Sequence, residues 1–202
     1  MDKPMGKPMA SPSSANTERI AAEVVKSALA AAAVRPWELV SYAEIAEISG
    51  LKVADIMAVF PQKIEILHRI VADLDQSILQ SASADPALNF KEQLFELLMA
   101  RFDEMETHRA AHISFLKSFG WIKSQIPAEL NLYYSSLWRY WDLCKNWTDE
   151  AGACVDGTAN EKSAAFDKNF VIYAARYLNV LRIWSLDRSA DLGKTMAALN
   201  KL

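Results

Sequence analysis

The sequence predicts an all-α protein: an N-terminal three-helix unit followed by a larger helical domain. Apolar residues recur at spacings of three and four along most of the chain, and no alternating stretch of strand length interrupts them. One short segment, residues 41–67, carries the start and stop signals of two helices around a tight turn. With 202 residues, 51% of them hydrophobic, and only six glycines and seven prolines, the chain can bury one substantial core or two packed ones. The net charge of −3 suits solubility and argues against a general polyanion binder. No apolar run approaches the ~18 residues that span a bilayer.

The elements follow in order. Residues 1–16, MDKPMGKPMASPSSAN, have no hydrophobic leader core and read as a disordered tail, which points to a cytoplasmic protein. A first helix is expected over 17–34. In SYAEIAEISGLKVADIMAVFPQKIEIL, Ser41 and Glu44 form a capping box, and Ile45, Ala46 and Ile48 give one apolar face. Gly50 then supplies the left-handed residue that ends the helix. A second helix over 53–60 stops at Pro61, completing a helix-turn-helix whose second helix is shaped to enter a major groove. The next helix, 62–79, bears Ile64, Leu67, Ile70, Val71, Leu74 and Ile78. After a break at 81–86, with Pro86 suited to a first helical turn, another carries Phe90, Leu94, Leu97, Leu98, Arg101, Phe102 and Met105. Further helices are expected over 109–119, from 127 to 147, over 160–185, and from a Ser189 cap to 199; Asp156-Gly157 marks a loop over 152–158.

Ile45-Ala46, Gly50-Leu51, Ile56, Phe60, Lys63 and Leu67, with the run 37–41 before them, resemble the N-terminal DNA-binding domain of the TetR family of bacterial regulators. The likeness covers roughly the first third of the chain. It implies a DNA-binding domain over 17–66 and an effector-binding and dimerisation domain over 67–202. It also implies a double-stranded DNA operator, a small apolar or aromatic effector and a homodimer. Carried onto this sequence, the DNA-contacting set is Ser41, Lys52, Val53, Asp55, Ile56, Met57 and Lys63, with Lys52 and Lys63 on phosphates. Where TetR relatives commonly carry a small hydroxyl residue, a Gly-Thr pair and a tyrosine, this chain has Lys52, Ala54-Asp55 and Met57. Between residues 17 and 70 six bases face seven acids, a lean electrostatic footprint for a phosphate lattice.

Fourteen of the twenty aromatic residues lie between Phe115 and Trp184, which directs attention to the second domain. Core packing and subunit contact form one reading of them; an apolar effector cavity is the other. The cavity reading selects Phe102, Phe115, Phe119, Tyr134, Trp138, Trp141 and Tyr173, with Arg101, Lys117 and Arg139 near enough to hold a carboxylate or phenolate head. The stripe Phe166, Phe170, Tyr177, Leu181 and Trp184 is too apolar to face water and is expected to pack both into its own domain and against a twofold-related copy. The TetR resemblance likewise implies dimerisation through the last two helices.

Asp187, Ser189, Asp191 and Thr195 are similar to a D-x-S-x-D-x-x-x-T pattern in the TetR-like lipid-binding accessory proteins of ubiquinone biosynthesis. That likeness implies an alternative role, a non-enzymatic lipid- or quinone-precursor-binding protein. The same residues also make sense as a helix start, with Ser189 as cap. No phosphate loop, nucleophile elbow or acid–base constellation points to catalysis, and no cofactor is expected. Glu104, His108 and His112 share a helical spacing, but Arg109 between them opposes a cation, so no metal site is expected. Cys144 and Cys154 match no zinc or redox spacing and are expected to be free thiols.

Overall fold

The Ser41 hydroxyl accepts the Glu44 amide at 3.2 Å, and Gly50 closes the same helix with φ 69° and ψ 11°, a region cheap only for glycine. These two signals bound helix α2, Tyr42–Ser49, and separate it from α3, Val53–Val59. Glu44 does not complete the capping box; its carboxylate pairs instead with Arg35 at 3.2 Å. The Tyr42 hydroxyl donates to the Phe60 carbonyl at 2.8 Å, tying the start of α2 to the end of α3.

The computed structural model describes residues 14–118, 128–152 and 168–202, and the described residues form nine α-helices, one short 3-10 turn and no strand. Around α2 and α3 lie α1, Ser14–Val34, the 3-10 turn Trp37–Leu39 and α4, Lys63–Ser81. Helix α1 begins three residues before the expected start, and Asn16 accepts from the Arg19 guanidinium there at 3.0 Å. Beyond α4 come α5, Phe90–Glu106; α6, Arg109–Ser118; α7, Ala128–Gly152; α8, Lys168–Leu186; and α9, Gly193–Leu199. Pro86 lies outside α5, which starts with Asn89 and Glu92 as a complete capping box. Helix α7 runs five residues past Trp147. Cys154 falls outside the described residues.

Two hydrophobic cores result. The first gathers Ile20, Val24, Ala28, Trp37, Ile45, Ile56 and Phe60 with Ile66, Leu67 and Ile70 of α4. The second begins one residue later, with Val71, Leu74 and Ile78 of α4 packed on α5, α7, α8 and α9. Helix α6 serves both. Its Ala111 and Phe115 enter the first core, where Phe115 meets the Trp37 ring edge-on at 5.2 Å, while Leu116 enters the second. The Ser114 hydroxyl accepts the Trp37 amide at 2.9 Å and donates to the Arg35 carbonyl at 3.1 Å. Both α4 and α6 therefore bridge the two units.

His112 of α6 is buried, edge-on to Phe115, and stays neutral: burial, with the nearby charges of Arg101 and His108, lowers its pKa from 6.5 to about 3. The unfolded chain takes up this proton at higher pH than the folded one. Stability supplied by the neutral ring is whole above pH 6.5 and is lost as pH falls towards about 3. In urea titrations between pH 6.5 and 5, above the carboxylate range, stability should fall with a slope of up to ~1.4 kcal/mol per pH unit. His112→Gln should flatten that slope.

Candidate functional site

Along α3, Ile56 is fully buried, and at about 100° per residue the opposite stripe falls on Ala54 and Ala58. Val53 (37% exposed) and Met57 (46%) flank that stripe on one side, and Asp55, also exposed, flanks it on the other. Lys52, the N-cap residue, is exposed where the turn enters the helix. Of the residues expected on DNA, Ser41, Lys52, Val53, Asp55 and Met57 thus reach the surface. Ile56 does not: its side chain belongs to the first core.

Lys63 also departs from expectation. Its ammonium donates to the Trp37 and Val40 carbonyls at 2.7 and 2.9 Å and lies 4.5 Å from the centre of the Trp37 ring. Partial burial lowers its pKa, against an opposing pull from Glu38. The charge closes the 3-10 turn onto α4 and is spent within the protein. The sequence identified a cation beside the recognition unit but could not reveal that two carbonyls 23 and 26 residues away would capture it.

The second core holds a buried ion pair. Asp75 and Arg101 are 0% and 1% exposed, and Arg101 Nε donates to Asp75 Oδ1 at 3.4 Å. Arg101 also donates to the Tyr177 hydroxyl at 3.0 Å and to Ser136 at 3.3 Å. Asp75 accepts from Ser136 (2.8 Å), Tyr140 (3.1 Å) and the half-exposed Arg139 (3.4 Å). Burial opposes the Arg101 charge, but Tyr177, Asp75, Tyr140 and Tyr133 together more than offset it and hold the guanidinium pKa above its usual value. Arg101 and Arg139 are therefore committed to Asp75. A signal for the pair existed: Asp75 lies on the stripe of Val71, Leu74 and Ile78, and Arg101 on that of Leu94, Leu97 and Leu98.

The rings expected around an effector divide three ways. Tyr134, Trp138 and Trp141 surround Phe170, with centroids at 4.8, 4.7 and 5.6 Å, and Tyr173 packs at a tilt against Trp141 at 5.2 Å. Phe102 packs deeper, against Tyr177 and Trp184. Phe115 is part of the first core instead, because α6 turns that face towards Trp37. Phe119 lies outside the described residues. Trp141 Nε1 and Gln93 Oε1 are buried and find no hydrogen-bond partner among the described residues. Tyr173 lines a cleft of about 500 Å³ with Leu88, Phe95 and Leu199.

No protein-family profile matches the sequence, and no curated protein matches it. The backbone does have counterparts. A TetR transcriptional regulator from Nitrosomonas europaea ATCC 19718 superposes with a TM-score of 0.62 at 18% identity, covering 90% of this chain and 94% of that one. A TetR transcriptional regulator from Rhodococcus sp. RHA1 gives a TM-score of 0.55 at 11% identity, covering 91% and 96%. The fold is the TetR fold.

On this TetR scaffold the stripe expected to serve both its own domain and a second copy packs into the protomer's own interior. Phe170, Leu181 and Trp184 are 0% exposed and Tyr177 2%, whereas Phe166 falls outside the described residues. Helix α8 is apolar on more than one stripe, and the aromatic stripe is the one that fills the second core. Its outer side exposes Val171, Ile172 and Leu186, and α9 exposes Met196.

The D-x-S-x-D-x-x-x-T pattern is a local tie. Asp187 Oδ1 accepts from the Ser189 amide and hydroxyl at 3.1 and 2.6 Å, and Oδ2 from the Thr195 amide and hydroxyl, both at 2.9 Å. Burial opposes the Asp187 charge, yet these four bonds hold its pKa below the usual carboxylate range. Ser189 and Asp191 also accept the Gly193 amide, so α9 starts at Gly193, after a left-handed Leu192, and not at Ser189. Arg109 donates to the Trp184 carbonyl at 2.6 Å and to that of Asp187, closing the end of α8. Among the described residues no three His, Cys, Asp or Glu side chains are grouped to hold a metal ion, and no helix is long and apolar enough to cross a membrane. Cys144 is buried, and burial pushes its thiol pKa up to about 12.

The two lysines separate in one experiment. In urea titrations Lys63→Met should cost about 1–3 kcal/mol, because two carbonyls lose a charged donor. Lys52→Met, at an exposed cap position, should stay within ~0.5 kcal/mol of the parent.

Proposed function

We propose that this protein is a non-enzymatic, ligand-responsive DNA-binding transcriptional regulator of TetR type, acting as a homodimer and a repressor. The observation that carries the reading is α3 itself: it follows a glycine turn, buries Ile56, and leaves its opposite face uncovered on a scaffold that matches TetR regulators over nine tenths of the chain. Two copies related by a twofold axis would present their α3 helices to successive major grooves, ~34 Å apart. Lys52, exposed at the start of α3, is the group for a phosphate. The outer face of α8 and α9, with Ile172, Leu186 and Met196, is the dimer surface favoured by its exposure.

An effector in the second core would act through α4 and α6. Unpartnered Trp141 Nε1, set among rings, and unpartnered Gln93 Oε1 suit an apolar or aromatic molecule with one acceptor and one donor. A shift of α4 would move α3 with it, since Lys63 follows four residues after Val59, and the spacing of the two recognition helices would change. A second reading, the lipid- or quinone-precursor-binding accessory protein, draws its support from the exposed Val53 and Met57, apolar groups on the helix meant for DNA, and from the exposed Ile48 of α2.

A mobility-shift assay on the intergenic DNA upstream of the gene, at low salt, distinguishes them. Binding at micromolar dimer or better is expected, and Lys52→Ala should reduce the salt slope by about one per site. Absence of any shift by folded protein contradicts the regulator reading and leaves the accessory one. Light scattering should give a dimer, and Ile172→Glu with Leu186→Glu a folded monomer; a parent protein that is monomeric at tens of micromolar contradicts the assembly.

A further inference from the structure

The outward face of α3 is poor in donors. Apart from Lys52 at its cap, it offers Val53, Ala54, Asp55, Met57 and Ala58, that is, apolar groups and one carboxylate. An ionised carboxylate only accepts hydrogen bonds. In the major groove guanine presents two acceptors, O6 and N7, which repel it. Adenine sets its N6 donor beside the N7 acceptor, a pair that matches an amide and not a carboxylate. Cytosine presents a single N4 donor, and thymine its methyl group beside an O4 acceptor.

We propose that α3 reads pyrimidines: Asp55 accepts from the amino group of a cytosine, and Val53 and Met57 cover thymine methyls. The proposal rests on the DNA-binding reading above and specifies the bases that reading leaves open. Ala54 and Ala58 on the outermost stripe let the helix axis approach the base edges closely, so the flanking side chains reach them. Asp55 sits in the first turn of α3 and, on this proposal, reaches a base edge, since at the phosphate rim its negative charge would be repelled. The lean positive charge of the unit then has a consequence: with few phosphate contacts, discrimination falls on this small set of groove contacts.

The test is selection of bound duplexes from a random pool by the full-length protein at low salt, followed by affinity measurements on the selected site. The half-site should carry a cytosine with thymines within a few base pairs of it. Exchanging that C·G for G·C should weaken binding about tenfold or more. Replacing each contacted thymidine by deoxyuridine, which removes only the methyl, should weaken it about fourfold. Asp55→Asn should move the preference at that position from cytosine to adenine, a change that a merely structural role for Asp55 would not produce. Tight binding to a site with a purine at that position, or an Asp55→Asn variant with unchanged preference, would overturn the proposal while leaving DNA binding intact. If no duplex in the pool is retained by folded protein, the DNA-binding reading fails and this proposal fails with it.

Discussion

Asp75 and Arg101 meet inside the second core almost out of reach of water, and four helices are fixed by the groups that surround them. Asp75 belongs to α4, Arg101 to α5, Ser136, Arg139 and Tyr140 to α7, and Tyr177 to α8. An ion pair buried this deeply gives little net stability relative to apolar side chains of the same shape, because desolvation consumes most of the attraction. Its value lies in direction. Each oxygen and nitrogen has a partner in a defined place, so α4 can cross the core in one rotation and one height only. Hydrophobic contacts alone would tolerate a slide by part of a turn; Asp75 would not, since a shift that removed its donors would leave a bare charge in the interior.

That constraint reaches the first unit because α4 is continuous across both cores. Ile66, Leu67 and Ile70 belong to one, Val71, Leu74 and Ile78 to the other, and nothing interrupts the helix between them. At the N-terminal end of α4, Lys63 holds the Trp37 and Val40 carbonyls, and Arg69 pairs with Glu18 of α1. A second connection runs through α6, where Ser114 and Phe115 engage Arg35 and Trp37. Trp37 is touched from both sides, by Lys63 of α4 and by Phe115 of α6. Two packed connections from the second core, one through α4 and one through α6, thus meet at one indole of the first.

Local chemistry made much of this legible in advance. The helix-turn-helix followed from Ser41, Gly50 and Pro61, because capping, a positive φ and a missing amide act within a few residues. The all-helical fold followed from spacing. What could not be read were choices settled over distance. Whether the Phe170–Trp184 stripe or its opposite fills the second core depends on how α8 is rotated, and both carry apolar residues. Phe115 looked like a wall of the second domain until the packing of α6 on α1 gave it to the first. Lys63 looked like a phosphate ligand because its acceptors are main-chain carbonyls, which sequence does not distinguish. The Asp187 pattern pointed to a special role, and its four hydrogen bonds account for it as the tie that starts α9.

The direct test is a double-mutant cycle on the buried pair, read by urea unfolding of the full-length protein: Asp75→Asn, Arg101→Met, and both together. Each single change leaves its partner's charge or donors stranded in the core and should cost about 3–5 kcal/mol. The double change should cost clearly less than the two added, because neither stranded group remains. Single variants within ~0.5 kcal/mol of the parent, or costs that simply add, would contradict the account.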